Sequence, residues 1–131
     1  MPKRPYRHGD VLLIPLDDDE PVTGTLVPVE REDVGVVLAH GEATGHRHAI
    51  ADEQATLSQI MLGTTVHTVG NPSSERLLRL PRPATLRQTS PNPAEVEGVH
   101  LHGPIKLPAG RYLVRIQRQL EPGRGASYVT D

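Results

Sequence analysis

The chain has 131 residues, 14 Lys and Arg against 16 Asp and Glu, and no cysteine. That length suits one domain with its own core, and the near-neutral balance gives no electrostatic reason to expect a nucleic-acid partner. The absence of cysteine excludes disulfides, thiolate metal sites and a Cys nucleophile.

Thirteen Pro and 12 Gly are spread from Pro2 to Gly125, so long helices are interrupted almost everywhere and short strands joined by turns are expected. With no Phe and no Trp, the core must come from Val, Leu and Ile, with Tyr6, Tyr112 and Tyr128 as the aromatics. This composition predicts an all-β fold, a barrel or a two-sheet sandwich. No apolar run approaches the roughly 20 residues that span a membrane, and the N-terminus has no apolar signal-peptide core. The expectation is a soluble, cytoplasmic protein with neither a nucleic-acid nor a membrane partner.

Residues 1–9 read as an entry arm whose basic run, Lys3-Arg4-Pro5-Tyr6-Arg7, is a solvated terminus. Asp10–Leu16 is apolar on both faces and predicts a buried strand, with Pro15 marking a bulge or an end. Asp17–Glu20 is an acidic loop without the ligand spacing of a calcium loop. Strands are predicted over Thr23–Val29, Val34–His40, His46–Ile50 and Ala55–Leu62; the last competes with a short helix over Ala51–Met61, because Leu57, Ile60 and Met61 also fit helical spacing. Thr64–Val69 alternates like a strand and holds His67. Gly70–Ser74 reads as a loop, Arg76–Leu80 and Ala84–Gln88 as strands, and Thr89–Gly98 as an exposed loop. His100–Leu107, the Pro108-Ala109-Gly110 turn and Arg111–Leu120 follow. In that final strand Tyr112, Val114, Ile116 and Leu120 share one face. One domain over residues 10–120 is expected, followed by a flexible tail over residues 121–131.

The stretch that carries chemistry is Val36–Ile50, VVLAHGEATGHRHAI. On a strand, His46, His48 and Ile50 point to one face, and Ile50 turns that face inward. Two imidazoles on an inward face are costly unless something binds them, and a metal ion is the usual ligand. A second His-x-His pair stands at His100-Leu101-His102, with both rings on one face if the strand is regular. His8, His40 and His67 are isolated, and isolated histidines are ordinarily surface or satisfied core groups. His40 and Glu42 sit at the turn near the first pair. Tyr112 and Arg115 are open to a substrate-facing or a structural role. No nucleophile–base order, phosphate loop or dinucleotide fingerprint is present.

Taken together, Gly41, His46-Arg47-His48, Glu53 and Gly63 resemble the first cupin motif, and Gly103 with Pro108-Ala109-Gly110 resembles the second. The resemblance covers roughly Gly41 to Gln119, and Leu113 stands where a cupin carries its last metal-binding histidine. Gly103–Tyr112, with Gln117-Arg118 after it, also resembles small bacterial proteins without a settled function. The cupin resemblance implies a double-stranded β-helix barrel. It further implies a divalent transition metal (zinc, iron, manganese or nickel) held by His46, His48 and His102, with His100 or Glu53 as a fourth ligand.

Three functions stay open. One is a metal-dependent enzyme acting on a small carbonyl, enol or carboxylate substrate. Another is a non-catalytic ligand-sensing module, and the third is a metal-free protein-interaction module. Small-molecule binding belongs to the first two. Exposed strand edges, with loose termini able to cover a neighbour's edge, predict a homodimer.

Overall fold

A computed structural model describes residues 3–40, 46–63, 70–89, 103–117, 119–121 and 125–127. In chain order its strands are β1 (Tyr6–His8), β2 (Val11–Leu16), β3 (Thr25–Pro28), β4 (Val36–His40), β5 (Arg47–Ile50) and β6 (Thr56–Leu62). They continue with β7 (Asn71–Leu80), β8 (Ala84–Thr89), β9 (Ile105–Leu107), β10 (Gly110–Ile116), β11 (Gln119–Glu121) and β12 (Gly125–Ser127). The described residues include no helix, and no helix is long and apolar enough to cross a membrane.

Two antiparallel sheets form the body. One has the order β1-β2-β10-β7-β6-β3 and the other β4-β5-β8-β9, while β11 and β12 form a separate hairpin. Among the described residues neither sheet closes into a barrel, so of the two expected architectures the two-sheet sandwich is the one observed. The core fills the space between the sheets. Leu13, Leu57, Leu78, Tyr112 and Val114 come from the six-stranded sheet, and Val36, Leu38, Ile50, Leu86 and Leu107 from the four-stranded one. Each fully buried side chain of this kind stabilises the fold by roughly 1.5–3 kcal/mol relative to exposure. A smaller cluster of Leu16, Ile60 and Leu77, with Val22 and Leu113 packed against it, covers part of the outer face of the six-stranded sheet.

Several local expectations change. Tyr6–His8, inside the expected arm, is a strand, because Tyr6 and His8 pair with Leu13 and Val11 of β2. Pro15 stays within β2, opposite Tyr112. β1 covers β2 only from Val11 to Leu13, so the missing N–H of Pro15 falls on an edge stretch, where proline is tolerated. Residues 71–74, expected as loop, extend β7, with Pro72 paired to Met61. β10 pairs with β7 only from Glu75 onward, which again leaves the proline on an unpaired side. The strand expected over Ala55–Leu62 is present as β6, after a turn, and the competing helix over Ala51–Met61 does not form. Strand β10 stops at Ile116, and the Gln117 amide donates instead to Asp10 O at 2.8 Å. The acidic loop is tied down by Arg111, whose guanidinium donates to the carbonyls of Asp17, Asp18 and Glu20.

Tyr112 yields a prediction of its own. Its ring is buried against Tyr6, with centroids 6.1 Å apart, and its hydroxyl donates to Pro108 O at 2.6 Å. Burial, and then the proximity of Tyr6, pushes the phenol up to about 12, while an unfolded tyrosine ionises near 10. The folded state therefore holds the extra proton between these values, and stability should fall as pH rises from about 10 through about 12. In a phenolate absorbance titration one of the three tyrosines should ionise late, and Tyr112→Phe should remove that late step. Three equivalent titrations in the wild type would contradict the assignment.

Candidate functional site: buried histidines between the sheets

The alternation expected for His46–Ile50 is present. His46, just before β5, and His48, within it, are both fully buried, and Ile50 joins the core on the same face. Arg47 points the other way. Its guanidinium reaches Asp33 at 2.7 Å and Glu32 at 3.5 Å. The Arg47 hydrogen bond and charge hold the Asp33 carboxyl below the usual carboxylate range. Glu32 also meets His40 Nε2 at 2.9 Å, which leaves His40 in an outer, solvated network. The outward charges and the inward imidazoles thus occupy opposite faces of one short strand.

Strand register supplies the inward neighbours. His48 lies opposite Ala39 on β4 and Gln88 on β8, and Gln88 is buried as well. From the other sheet comes His8, at the end of β1 and 2 % exposed. Its Nδ1 lies 2.7 Å from His48 Nδ1, with the two rings nearly perpendicular, and its Nε2 lies 2.9 Å from Gly103 O.

This pattern orders the protons. A carbonyl oxygen only accepts, so His8 Nε2 carries a hydrogen. A neutral His8 then offers the lone pair of Nδ1, and His48 Nδ1–H donates to it. His48 Nε2 is left as the lone-pair nitrogen. That is the arrangement of a metal-binding histidine, whose second ring nitrogen is oriented by an acceptor behind it. His46 differs: it is fully buried, and neither ring nitrogen has a hydrogen-bond partner. An unsatisfied buried polar atom costs about 1–3 kcal/mol, so His46 is present at the expense of stability.

The other expected site residues fall elsewhere. Glu53 is exposed in the turn that follows β5, at the far end of that strand from His46, and the structure does not bring it to the histidines. His100 and His102 lie outside the described residues, as do Glu42 and His67. Among the described residues no group of three or more His, Asp or Glu side chains is disposed to hold a metal; the described part supplies two imidazoles and their orienting partner. Tyr112 serves the core at the opposite end of β10, and Arg115 pairs with Glu75 at 3.1 Å on the outer face. His8 is the residue that sequence reasoning left aside. Its available signal was the Tyr6/His8 alternation just before the Gly9-Asp10 turn.

Fold and site together define a small antiparallel β-sandwich with a buried histidine cluster between its sheets. The chain belongs to the family described as Domain of unknown function (DUF8820), which matches over residues 7–117. The match takes in both sheets and His8, and ends before the β11–β12 hairpin. No curated protein and no solved structure matches the chain.

Proposed function

We propose that this protein binds one divalent transition metal between its sheets, with His46 and His48 Nε2 as ligands and His8 as the residue that orients His48. The observation that carries the reading is His46: a fully buried imidazole with both nitrogens unsatisfied, one residue removed from a second buried imidazole whose Nδ1 meets His8 Nδ1 at 2.7 Å. Residues two apart on a strand face lie roughly 6–7 Å apart, a span that two imidazoles with metal–nitrogen bonds of about 2 Å can close around one ion. The donor set is nitrogen-based, which suits zinc, iron, manganese or nickel. His100 and His102 are the sequence's candidates for the remaining positions. A metal with an open position beside an apolar core can polarise a carbonyl, enol or carboxylate, so the proposal covers both a metal-dependent enzyme and a non-catalytic ligand sensor.

Elemental analysis of protein purified without a histidine tag tests the reading. About one transition-metal ion per chain is expected, removable by chelator with a loss of thermal stability. Protein that stays metal-free after growth and purification with added zinc, iron, manganese and nickel would refute it.

A homodimer is also proposed. Strand β3 is an edge of the six-stranded sheet, and Leu26 and Val27 on it are 42 % and 39 % exposed. An open apolar edge strand is a template for pairing with a second copy. Light scattering at micromolar concentration should give twice the chain mass; a monomer mass contradicts this part.

A further inference from the structure

Arg76 lies on the inner face of β7. It stands in register with Val114 of β10 and Gln59 of β6, and Leu78 and Leu80 on the same face enter the core. A guanidinium is always charged in proteins, and an inward-facing one ordinarily meets a carboxylate. Arg47, Arg82 and Arg115 do so on the outside, with Asp33, Asp52 and Glu75. Arg76 has no acidic partner among the described residues. It donates across the gap between the sheets to the main-chain oxygen of Leu38. Its burial works against the charged form.

The contact also places it. Leu38 occupies the bulge of β4, where register shifts between Val37, opposite Ala49, and Ala39, opposite His48. The guanidinium therefore ends against the strand next to the one that carries His48, and neighbouring strands are roughly 4.8 Å apart. Leu38 O takes one of the five N–H donors of the side chain, and the rest of the planar fork remains for two oxygens of a ligand.

We infer that the inward-facing guanidinium of Arg76 binds a small carboxylate, the carboxylate group pairing with the fork donors that Leu38 O does not take. This rests on the metal reading only for where the rest of the ligand points; the pairing with Arg76 stands without the ion. One cation beside the apolar side chains of Leu38 and Val114 matches a single negative charge. A phosphate group, at about −1.5 to −2 near neutral pH, would keep uncompensated charge there.

The test is calorimetric titration of untagged protein, as purified and after chelator dialysis, with acetate, succinate, their neutral amides and inorganic phosphate. At least one carboxylate should bind, its amide should not, and phosphate should bind more weakly. Arg76→Met should weaken carboxylate binding by about 10- to 100-fold, with metal content per chain unchanged. Arg76→Lys should retain part of the affinity. Equal binding to wild type and Arg76→Met, no binding by either carboxylate, or tighter binding of phosphate overturns the inference. If Arg76→Met does not fold, the acid–amide comparison in the wild type and the Arg76→Lys titration decide it. If the wild type holds no metal, the metal reading fails, whereas Arg76-dependent carboxylate binding after chelation still upholds the pairing.

Discussion

Replacing His46 by leucine is expected to leave the metal-free protein as stable as the wild type or more stable, and to abolish the stabilisation by metal that the proposed site predicts for the wild type. The two halves of this result have different causes. In the absence of metal, leucine removes a buried ring whose Nδ1 and Nε2 both lack a hydrogen bond, each a debit of about 1–3 kcal/mol. It fills a similar space with apolar atoms. With metal present, an ion that binds only the native state at a thousand times its dissociation constant stabilises by about 4 kcal/mol. The variant should lose that contribution because one of the proposed ligands is gone.

His48→Leu should behave otherwise. It removes the hydrogen bond to His8 Nδ1 and leaves that nitrogen buried and deprived of this donor, so it should destabilise by about 1–3 kcal/mol with or without metal. His40→Ala, in the exposed pair with Glu32, should change neither stability nor metal response by more than about 0.5 kcal/mol. Thermal unfolding followed by circular dichroism, in chelator and in added zinc, separates these cases. The reading of His46 fails if His46→Leu is several kcal/mol less stable in chelator, or if zinc stabilises it as much as the wild type.

The same contrast explains what the sequence reveals. Alternation is a backbone property with period 2, so Tyr112, Val114 and Ile116, or His46, His48 and Ile50, disclose their shared faces without any partner being known. The separation of Arg47 from its two histidine neighbours follows from that period alone. Long-range placement has no such local mark. His8 sits in a three-residue strand after Pro5, where the Tyr6/His8 alternation is a single repeat, and its role comes from His48, 40 residues away. Arg76 reads as one of two cations in RLLRL. That Arg76 turns in and Arg79 out is decided by pairing with β6 and β10. Residues 71–74 carry the composition of a loop, and only the unpaired side of β7 makes Pro72 acceptable in a strand. Motif spacing points Glu53 toward the site, but β5 runs away from His46 before the turn that holds Glu53. The sequence does not separate barrel from sandwich, because closure depends on which edges meet, and side-chain periodicity carries no information on that.

Gly35→Ala is expected to be among the most destabilising single-methyl additions in this chain, at roughly 3–4 kcal/mol, or on the order of 10 °C in melting temperature. Gly35 closes the tight turn before β4. Its amide donates to Glu32 O at 3.1 Å, and its carbonyl accepts from Glu32 N at 2.8 Å. Its φ is +116°, a region that L side chains rarely adopt. A Cβ there would lie 2.3 Å from Ile50 O and 2.8 Å from Ala51 Cα. Both atoms are backbone, so no side chain can swing aside and the β4–β5 pairing itself must open. Val36 pairs with Ile50 at this point, and both are core residues. Displacing β5 also disturbs the strand that carries His48, so metal affinity should fall along with stability. Gly63→Ala is the control. Gly63 also has a positive φ, +69°, but a Cβ there meets nothing within 4 Å, so it should cost only the conformational strain, about 1–2 kcal/mol. Denaturant unfolding of the two variants side by side makes the comparison. Equal losses would mean that the close approach of the turn to Ile50 does not limit the structure. A larger loss for Gly35→Ala, accompanied by weaker metal binding, would tie the register of β4 and β5 to the site between the sheets.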